Sequence, residues 1–390
     1  MTSTMGGRAQ LMSLLALVLG LALLVNPGSL LRVGWGLLGS LLSLAGLVGA
    51  LGTMLGLTVL YLQSWQEDTK RVDALHKKAV LVTGCDSGFG LQFARELHGL
   101  GMTVLAGCLQ TKSPGASELA ALNSPRMHVL ALDVTSDENV EEVLRVAQGI
   151  VTDNGLELWC VVNNAGVGCM GEIEWTRMSS FRMVAEVNLW GAVRITKAFL
   201  PLLRRSRGRI VNMSSIAART SSYNNCAYAI TKVALESFSD ALRLEMHKWG
   251  VQVSLIEPGN YTLHTNLVGD TSGADHFWNA LPEPLQRDYG REYVAAFASQ
   301  LRLNLESNSS TDASPVVSAL RHAVTSRWPR RRYLPASRSE RFAVALFSAL
   351  PAVVADRLFT SPVRPGGQQR IIPDLLKQGG RGGGGLRARP

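Results

Sequence analysis

Residues 78–90 read KAVLVTGCDSGFG, and this stretch decides the fold. A short apolar run, Ala79 to Val82, leads into Thr83-Gly84-x-x-x-Gly88-x-Gly90. An amphipathic segment, LQFARELHGLG (91–101), follows, and then a second apolar run, TVLAGCL (103–109). The pattern predicts a strand, a glycine loop, a helix and a second strand. Glycines let a backbone approach a pyrophosphate, and a helix N-terminus offers amide N–H groups and a positive dipole end. Three residues separate the first two glycines here, unlike the commoner G-x-G-x-x-G. A glycine-rich loop alone says little, but one set between a strand and a helix points to a dinucleotide site.

Downstream the same rhythm repeats. RMHVLALDVTS (126–136), LWCVVNNAG (158–166), GRIVNMSS (208–215) and VQVSLIEPGNY (251–261) read as strands, separated by amphipathic helical segments. Such alternation implies an α/β fold, a Rossmann-type doubly wound parallel sheet. Ligands of these sheets bind at the carboxyl ends of the strands. Gly84, Asp133, Asn163, Ser215 and Pro258 all fall at expected strand ends. Asp133 can accept from an adenine amino group, or serve as an ordinary cap for the helix ENVEEVLRVAQ. Asn163-Asn164-Ala165-Gly166 suits a tight turn against a cofactor, or an ordinary turn.

Chemistry is concentrated in Asn212–Lys232, NMSSIAARTSSYNNCAYAITK. On a helix, Tyr228 and Lys232 share a face at i and i+4. An ammonium beside a phenol lowers its pKa from about 10 towards the range useful for proton transfer. A serine hydroxyl nearby can hydrogen-bond the oxygen of a reacting alcohol or carbonyl. Tyr-x-x-x-Lys alone recurs by chance on helix surfaces; its weight comes from the strand–glycine–helix unit before it.

The chain has 390 residues and a formal charge of +9. The tail 361–390 holds six basic residues and one acidic, so it carries +5 of that total. Further basic clusters, RRSRGR (204–209) and PRRRY (329–333), have no interleaved aromatics, so a membrane surface explains the bias better than nucleic acid. Five scattered cysteines without a C-x-x-C pair imply reduced thiols and no metal. Residues 9–31 and 33–66 are uncharged, and the second run is about 50 Å long if helical, against a hydrocarbon core of ~30 Å. One to three hydrophobic spans are expected over 1–66. Lys70, Arg71, Lys77 and Lys78 follow, which places the next domain on the cytosolic side. A charged linker (67–77), a catalytic domain (78–360) and a disordered basic tail (361–390) complete the expected organisation.

TGCDSGFG, NNAG, Asn188 in an apolar helix, Ser215 thirteen residues before Tyr228 (228 − 215), YAITK and EPG occur in that order. As a set they resemble the short-chain dehydrogenase/reductase family. The resemblance implies an oxidoreductase of alcohols with catalytic Ser215, Tyr228, Lys232 and Asn188. Ser215 would polarise the reacting oxygen, Tyr228 act as acid/base, Lys232 lower its pKa and hold the nicotinamide ribose, and Asn188 position a water. The cofactor would be lined by Thr83, Gly84, Asp86, Ser87, Gly88, Phe89, Gly90, Asp133, Val134, Asn163, Ala165, Gly166, Tyr228, Lys232, Pro258 and Gly259. NAD is favoured over NADP, because neither the glycine loop nor residues 108–110 hold an Arg or Lys for a 2′-phosphate, and Asp86 would repel one. Lys112 argues the other way.

Core segments such as AEVNLWGAVRITKAFLPLL (185–203) resemble the D-β-hydroxybutyrate dehydrogenase branch, while the hydrophobic N-terminus resembles hydroxysteroid and retinol dehydrogenases of the endoplasmic reticulum. The expected substrate is (R)-3-hydroxybutyrate, with a hydroxysteroid or retinol as rival and an idle NAD(H)-binding scaffold as the non-enzyme alternative. No cationic partner for a carboxylate substrate stands out among Arg219, Asn224, Asn225 and His264. The family often places a Thr five residues after the Pro of its PG motif; here that residue is Leu263, flanked by Thr262 and Thr265. Helices over 263–314 are expected to form a substrate lid. The apolar segment RFAVALFSALPAVVADRLF (341–359) fits a core-covering or a membrane-resting helix equally well. Family analogy adds a homo-oligomer.

Overall fold

The computed structural model describes residues 48–49, 51–56, 58, 70–220, 224–265, 267, 273–307, 309–360 and 373–374. The chain divides into two compact units, Met1–Arg71 with Ser326–Trp328, and Val72–Thr325 with Pro329–Pro390. In the first unit, residues 48–49, 51–56 and 58 are helical and Val48, Leu51, Met54 and Leu55 are exposed. The remainder of the uncharged runs lies outside the described residues, and so does the tail 361–390 apart from 373–374. Among the described residues no helix is long and apolar enough to cross a membrane.

The second unit is built on strands β1 (Lys78–Thr83), β2 (Thr103–Cys108), β3 (Met127–Ala131), β4 (Glu157–Asn163), β5 (Arg209–Met213), β6 (Gln252–Ile256) and β7 (Arg332–Tyr333). They form one sheet in the order β3-β2-β1-β4-β5-β6-β7, every pair parallel. The order reverses between β1 and β4, the switch point where such sheets open a crevice.

Around the sheet lie α1 (Gly88–Gly99), α2 (Pro114–Ala121), α3 (Asp137–Asp153), α4 (Met178–Ala185), α5 (Ala192–Ser206) and α6 (Cys226–Met246). Then come α7 (Ala274–Ala280), α8 (Glu283–Tyr289), α9 (Arg291–Ser307), α10 (Ser314–Thr325), α11 (Arg338–Ala349) and α12 (Ala352–Thr360). β1 is buried along its whole length, in keeping with the unbroken apolar run Ala79–Val82 at its centre. Its alternate residues serve opposite faces. Val80 and Val82 pack with Phe93 and Leu97 of α1 and Leu320 of α10; Ala79 and Leu81 pack with Ile195 and Phe199 of α5. α3 starts where Ser136 accepts from the Asn139 amide at 3.1 Å, with Asp137 and Glu138 in its first turn. Ser136 therefore caps this helix, and Asp133 does not.

The apolar helix expected around Asn188 is three pieces. A π-helical turn, Glu186–Gly191, interrupts it between α4 and α5 and turns Asn188 inward, 1% exposed. Helices α7 to α9 occupy the expected lid and have a core of their own. Phe277, Leu281, Val294, Ala298 and Leu301 gather around Trp175, whose ring lies 4.7 Å from Phe297 and 5.0 Å from Tyr289. In α11 no residue is fully buried, and Ala343, Val344 and Phe347 are half-buried.

Candidate active site

The carboxyl ends of β1 to β6 border one cavity of about 1180 Å³. Its floor is the glycine loop. Gly84 adopts φ +73°, and a Cβ there would sit 2.8 Å from the Ala165 Cα. A Cβ on Gly90 would lie 2.2 Å from the Gly84 carbonyl oxygen, so only glycine lets α1 begin this close to the β1 turn. Thr83 Oγ1 accepts from the amides of Asn164 (3.0 Å) and Ala165 (2.9 Å), and Asn164 Nδ2 donates to the carbonyls of Thr83 (2.9 Å) and Gly84 (3.2 Å). The first and fourth strands are thereby locked together under the loop.

Asp86 reaches across to the end of β2, where its carboxylate accepts from Leu109 N and Gln110 N, both at 2.9 Å. Asp133 accepts from the amide and hydroxyl of Thr135 at 2.9 and 2.7 Å while lining the cavity. Ser87, Gly88, Phe89, Val134, Ala165, Gly166, Pro258 and Gly259 also line it. Thr83, Gly90 and Asn163 do not. The buried Asn163 side chain faces α5, donating to Thr196 Oγ1 (3.0 Å) and to Asn212 Oδ1 (2.8 Å) on the neighbouring strand. Its neighbour Asn164 is the asparagine at the cavity.

Ser215, Tyr228 and Lys232 meet at the far side of the same cavity. Ser215 follows β5 and caps a single turn, Ile216–Ala218, by accepting from Ala217 N at 3.2 Å; it also hydrogen-bonds the Tyr228 phenol. Tyr228 and Lys232 are one turn apart on α6, with Nζ 5.3 Å from the phenol ring centroid. Nζ donates to Met213 O at 2.8 Å. Burial pushes the Tyr228 phenol up to about 12, opposed by the Ser215 hydrogen bond, and brings the Lys232 ammonium down to about 8. The lowering of the phenol expected from Lys232 is not seen in the protein alone, where desolvation dominates and only the Ser215 hydrogen bond opposes it.

The Asn188 side chain does not line the cavity. Its Oδ1 accepts from Val167 N (2.8 Å), and its Nδ2 donates to Val167 O (2.9 Å) and Thr231 Oγ1 (3.2 Å). It ties the turn after β4 to α6 and so braces the helix that carries Tyr228 and Lys232. Leu263 is exposed and outside the lining, whereas Thr262 and Thr265 are within it.

A charged network behind Ser215 was not evident in the sequence. Glu257, 2% exposed at its side chain, accepts from Arg219 Nε (2.8 Å) and from Arg332 (2.8 Å). Arg332 also meets Glu236 and Asp240, each at 2.6 Å, and Glu236 accepts from Ser214 Oγ at 3.0 Å. Hydrogen bonding to Glu257 holds the Arg219 guanidinium above its ordinary range. Arg219 is thereby committed to the protein. A Glu directly before Pro258-Gly259 was the one local signal.

A serine, a half-buried tyrosine and a lysine thus share one cavity with a glycine loop that leads from a strand into a helix. The family model for the short chain dehydrogenases matches residues 78–273. The chain belongs to this family. It is an oxidoreductase acting on CH–OH donors. It is similar to mitochondrial D-beta-hydroxybutyrate dehydrogenase of Bos taurus, 42% identical over 294 residues that cover 74% of this chain and 85% of that protein. It is also similar to estradiol 17-beta-dehydrogenase 2 of Mus musculus, 41% identical over 286 residues, 71% of this chain and 72% of that one. The crystal structure of a short-chain dehydrogenase from Streptomyces avermitilis matches with a TM-score of 0.56 at 26% identity, over 72% of this chain and 94% of that chain.

Proposed function

We propose that the chain interconverts a lipophilic secondary alcohol and its ketone, with NAD as the hydride carrier and Tyr228 as acid and base. The observation that carries this reading is the wall of the cavity around Ser215 and Tyr228. Val167, Met170, Ile216, Leu267 and Leu301 line it, and among the described lining residues Lys232 is the only cation. A carboxylate substrate would have no charged partner beyond a lysine already bonded to Met213 O.

The site fits a dinucleotide. Ser87 to Phe89 present the amide end of α1, the Gly84–Ala165 approach leaves room for a pyrophosphate, and Asp133 and Val134 flank an adenine pocket. Asp86 and Glu118 beside Leu109 and Gln110 disfavour a 2′-phosphate, and Lys112 is exposed and outside the lining. When bound, NAD supplies the acceptor for the hydride leaving the carbinol carbon. Tyr228 accepts the hydroxyl proton as the ketone forms and returns it in reduction. Ser215 hydrogen-bonds the substrate oxygen and the phenol. The Lys232 cation, still charged at neutral pH, favours the phenolate against burial.

A second reading, (R)-3-hydroxybutyrate, draws on the 42% identity to the Bos taurus enzyme and on the amides of Asn224 and Asn225 in the lining. Initial rates of NADH formation by the full chain distinguish the two. A hydroxysteroid or retinol turned over faster than 3-hydroxybutyrate supports the lipophilic reading, and the reverse order sinks it.

The working organisation is a membrane anchor over 1–66, a linker (67–77), a catalytic domain (78–360) and a basic tail. The uncharged runs and the basic residues after them favour an endoplasmic reticulum membrane with the catalytic domain in the cytosol; a mitochondrial membrane is the alternative. Met183, Trp190, Ile230 and Val233 are about half exposed on α4, the π turn and α6, an apolar face suited to a second copy of the chain. Sedimentation of detergent-solubilised protein tests it: a monomer at all concentrations would exclude that assembly.

A further inference from the structure

Amphipathic helices of water-soluble domains turn their apolar stripe to the core. α11 half-buries Val344 and Phe347 and turns a second apolar stripe to solvent. Phe342, Ala345, Leu346 and Ala349, spaced i, i+3, i+4, i+7, are all exposed, and no residue of 338–351 or 353–357 is buried. Pro351 turns the chain into α12, where Val353 and Val354 continue the exposed apolar surface. The exposures are 69% for Phe342, 39% for Leu346, 65% for Val353 and 42% for Val354.

Charge says what covers this surface. Exposed Arg338 and Arg341 stand at one end of it and Arg357 at the other, and the sequence beyond 360 adds six basic residues to one acidic. The Glu340 carboxylate faces inward, accepting from Asn260 N at 2.7 Å and from Ser337 N at 2.8 Å. That leaves Asp356 as the exposed carboxylate between 338 and 357. We infer that the α11–α12 segment is a second lipid-contacting element, which lays its apolar stripe into the interface of an anionic bilayer with arginines at the headgroups. Through Glu340 it is fixed to the Gly259–Asn260 rim of the cavity, so the alcohol site stands beside the lipid surface.

This contact adds to the N-terminal anchoring proposed above, and the two fail separately. The test places the full chain in vesicles of phosphatidylcholine and phosphatidylserine containing a phospholipid with a photoreactive acyl chain, then maps labelled peptides by mass spectrometry. Label is expected in 338–357 as well as in the N-terminal runs. The double substitution Phe342→Asp, Val353→Asp should cut the 338–357 label on the order of tenfold while N-terminal label and NADH binding persist. Label confined to the N-terminal runs would overturn the inference and leave the anchor standing. Cross-links from 338–357 to a second copy, to another protein or to the N-terminal run in place of lipid would also overturn it. Equal labelling in phosphatidylcholine alone would overturn the role given to the arginines.

Discussion

The two halves of the cavity are held in place by different means. The cofactor half is set by close backbone approaches, Gly84 against Ala165 and Gly90 against the Gly84 carbonyl, and by the Thr83 and Asn164 side chains bonding backbone groups across β1 and β4. The lid half is set by side chains. Trp175, Tyr289, Tyr293 and Phe297 stack edge to face, and two tyrosine hydroxyls reach Glu174 and Glu172 at 2.7 and 2.6 Å. Backbone contacts leave no room for variation, while an aromatic cluster can loosen without disturbing the sheet. On the reading proposed above, the first half serves any substrate of the cofactor and the second, which meets the cavity through Leu301, would select the alcohol.

Four substitutions can break or sharpen that contrast. Trp175→Ala removes the centre of the lid cluster and should cost about 4 kcal/mol of lid stability. Hydrogen exchange across 274–307 should accelerate and KM for the alcohol should rise while NADH affinity stays unchanged; a matching loss of NADH affinity would erase the distinction. Gly90→Ala is the converse. Its Cβ has no space beside the Gly84 carbonyl, so NADH binding by fluorescence titration should weaken on the order of a hundredfold, about 3 kcal/mol. The lid's exchange rates should hold. Arg332→Met strikes the network shared by the Ser214–Arg219 and Glu257–Gly259 loops. A loss of about 2 kcal/mol by thermal unfolding is expected, less than for a fully buried pair because Arg332 keeps 31% of its side chain exposed.

The smallest effect concerns pH. Lys232 titrates near 8 in the folded protein against 10.5 ordinarily, so burying its charge penalises folding below about pH 8 and the penalty fades as pH rises towards 10.5. Tyr228, raised to about 12, works oppositely, but only above pH 10. Between pH 8 and 10 the wild-type melting temperature should rise relative to Lys232→Met. A flat difference across that window would mean that the lysine is not desolvated.

The contrast also explains what the sequence disclosed. Glycine spacing, strand alternation and the Tyr228–Lys232 interval are local patterns with local causes, and they mark the cofactor half and the catalytic pair. Asn164 and not Asn163 lines the cavity, and the strand's own period gives the reason. Val161 faces α5, so Asn163, two residues on, faces α5 as well, and the first residue free to turn to the loop is Asn164. The π turn at Asn188, the Arg219–Glu257–Arg332 network and the lid's aromatic core join residues far apart in the chain, and no short-range pattern records them. Desolvation of the Tyr228 phenol is of the same kind: i, i+4 spacing gives the partner but not the desolvation.

The central claim is that Tyr228 transfers the proton of a lipophilic alcohol in this cavity. The most direct measurement offers detergent-solubilised full chain a hydroxysteroid panel, retinol and 3-hydroxybutyrate in parallel with NAD, beside a Tyr228→Phe control. The account predicts NADH from a steroid or retinol, with turnover reduced on the order of a thousandfold in Tyr228→Phe at unchanged NADH affinity. Equal turnover by Tyr228→Phe, or NAD bound with no NADH formed from any alcohol, would contradict it.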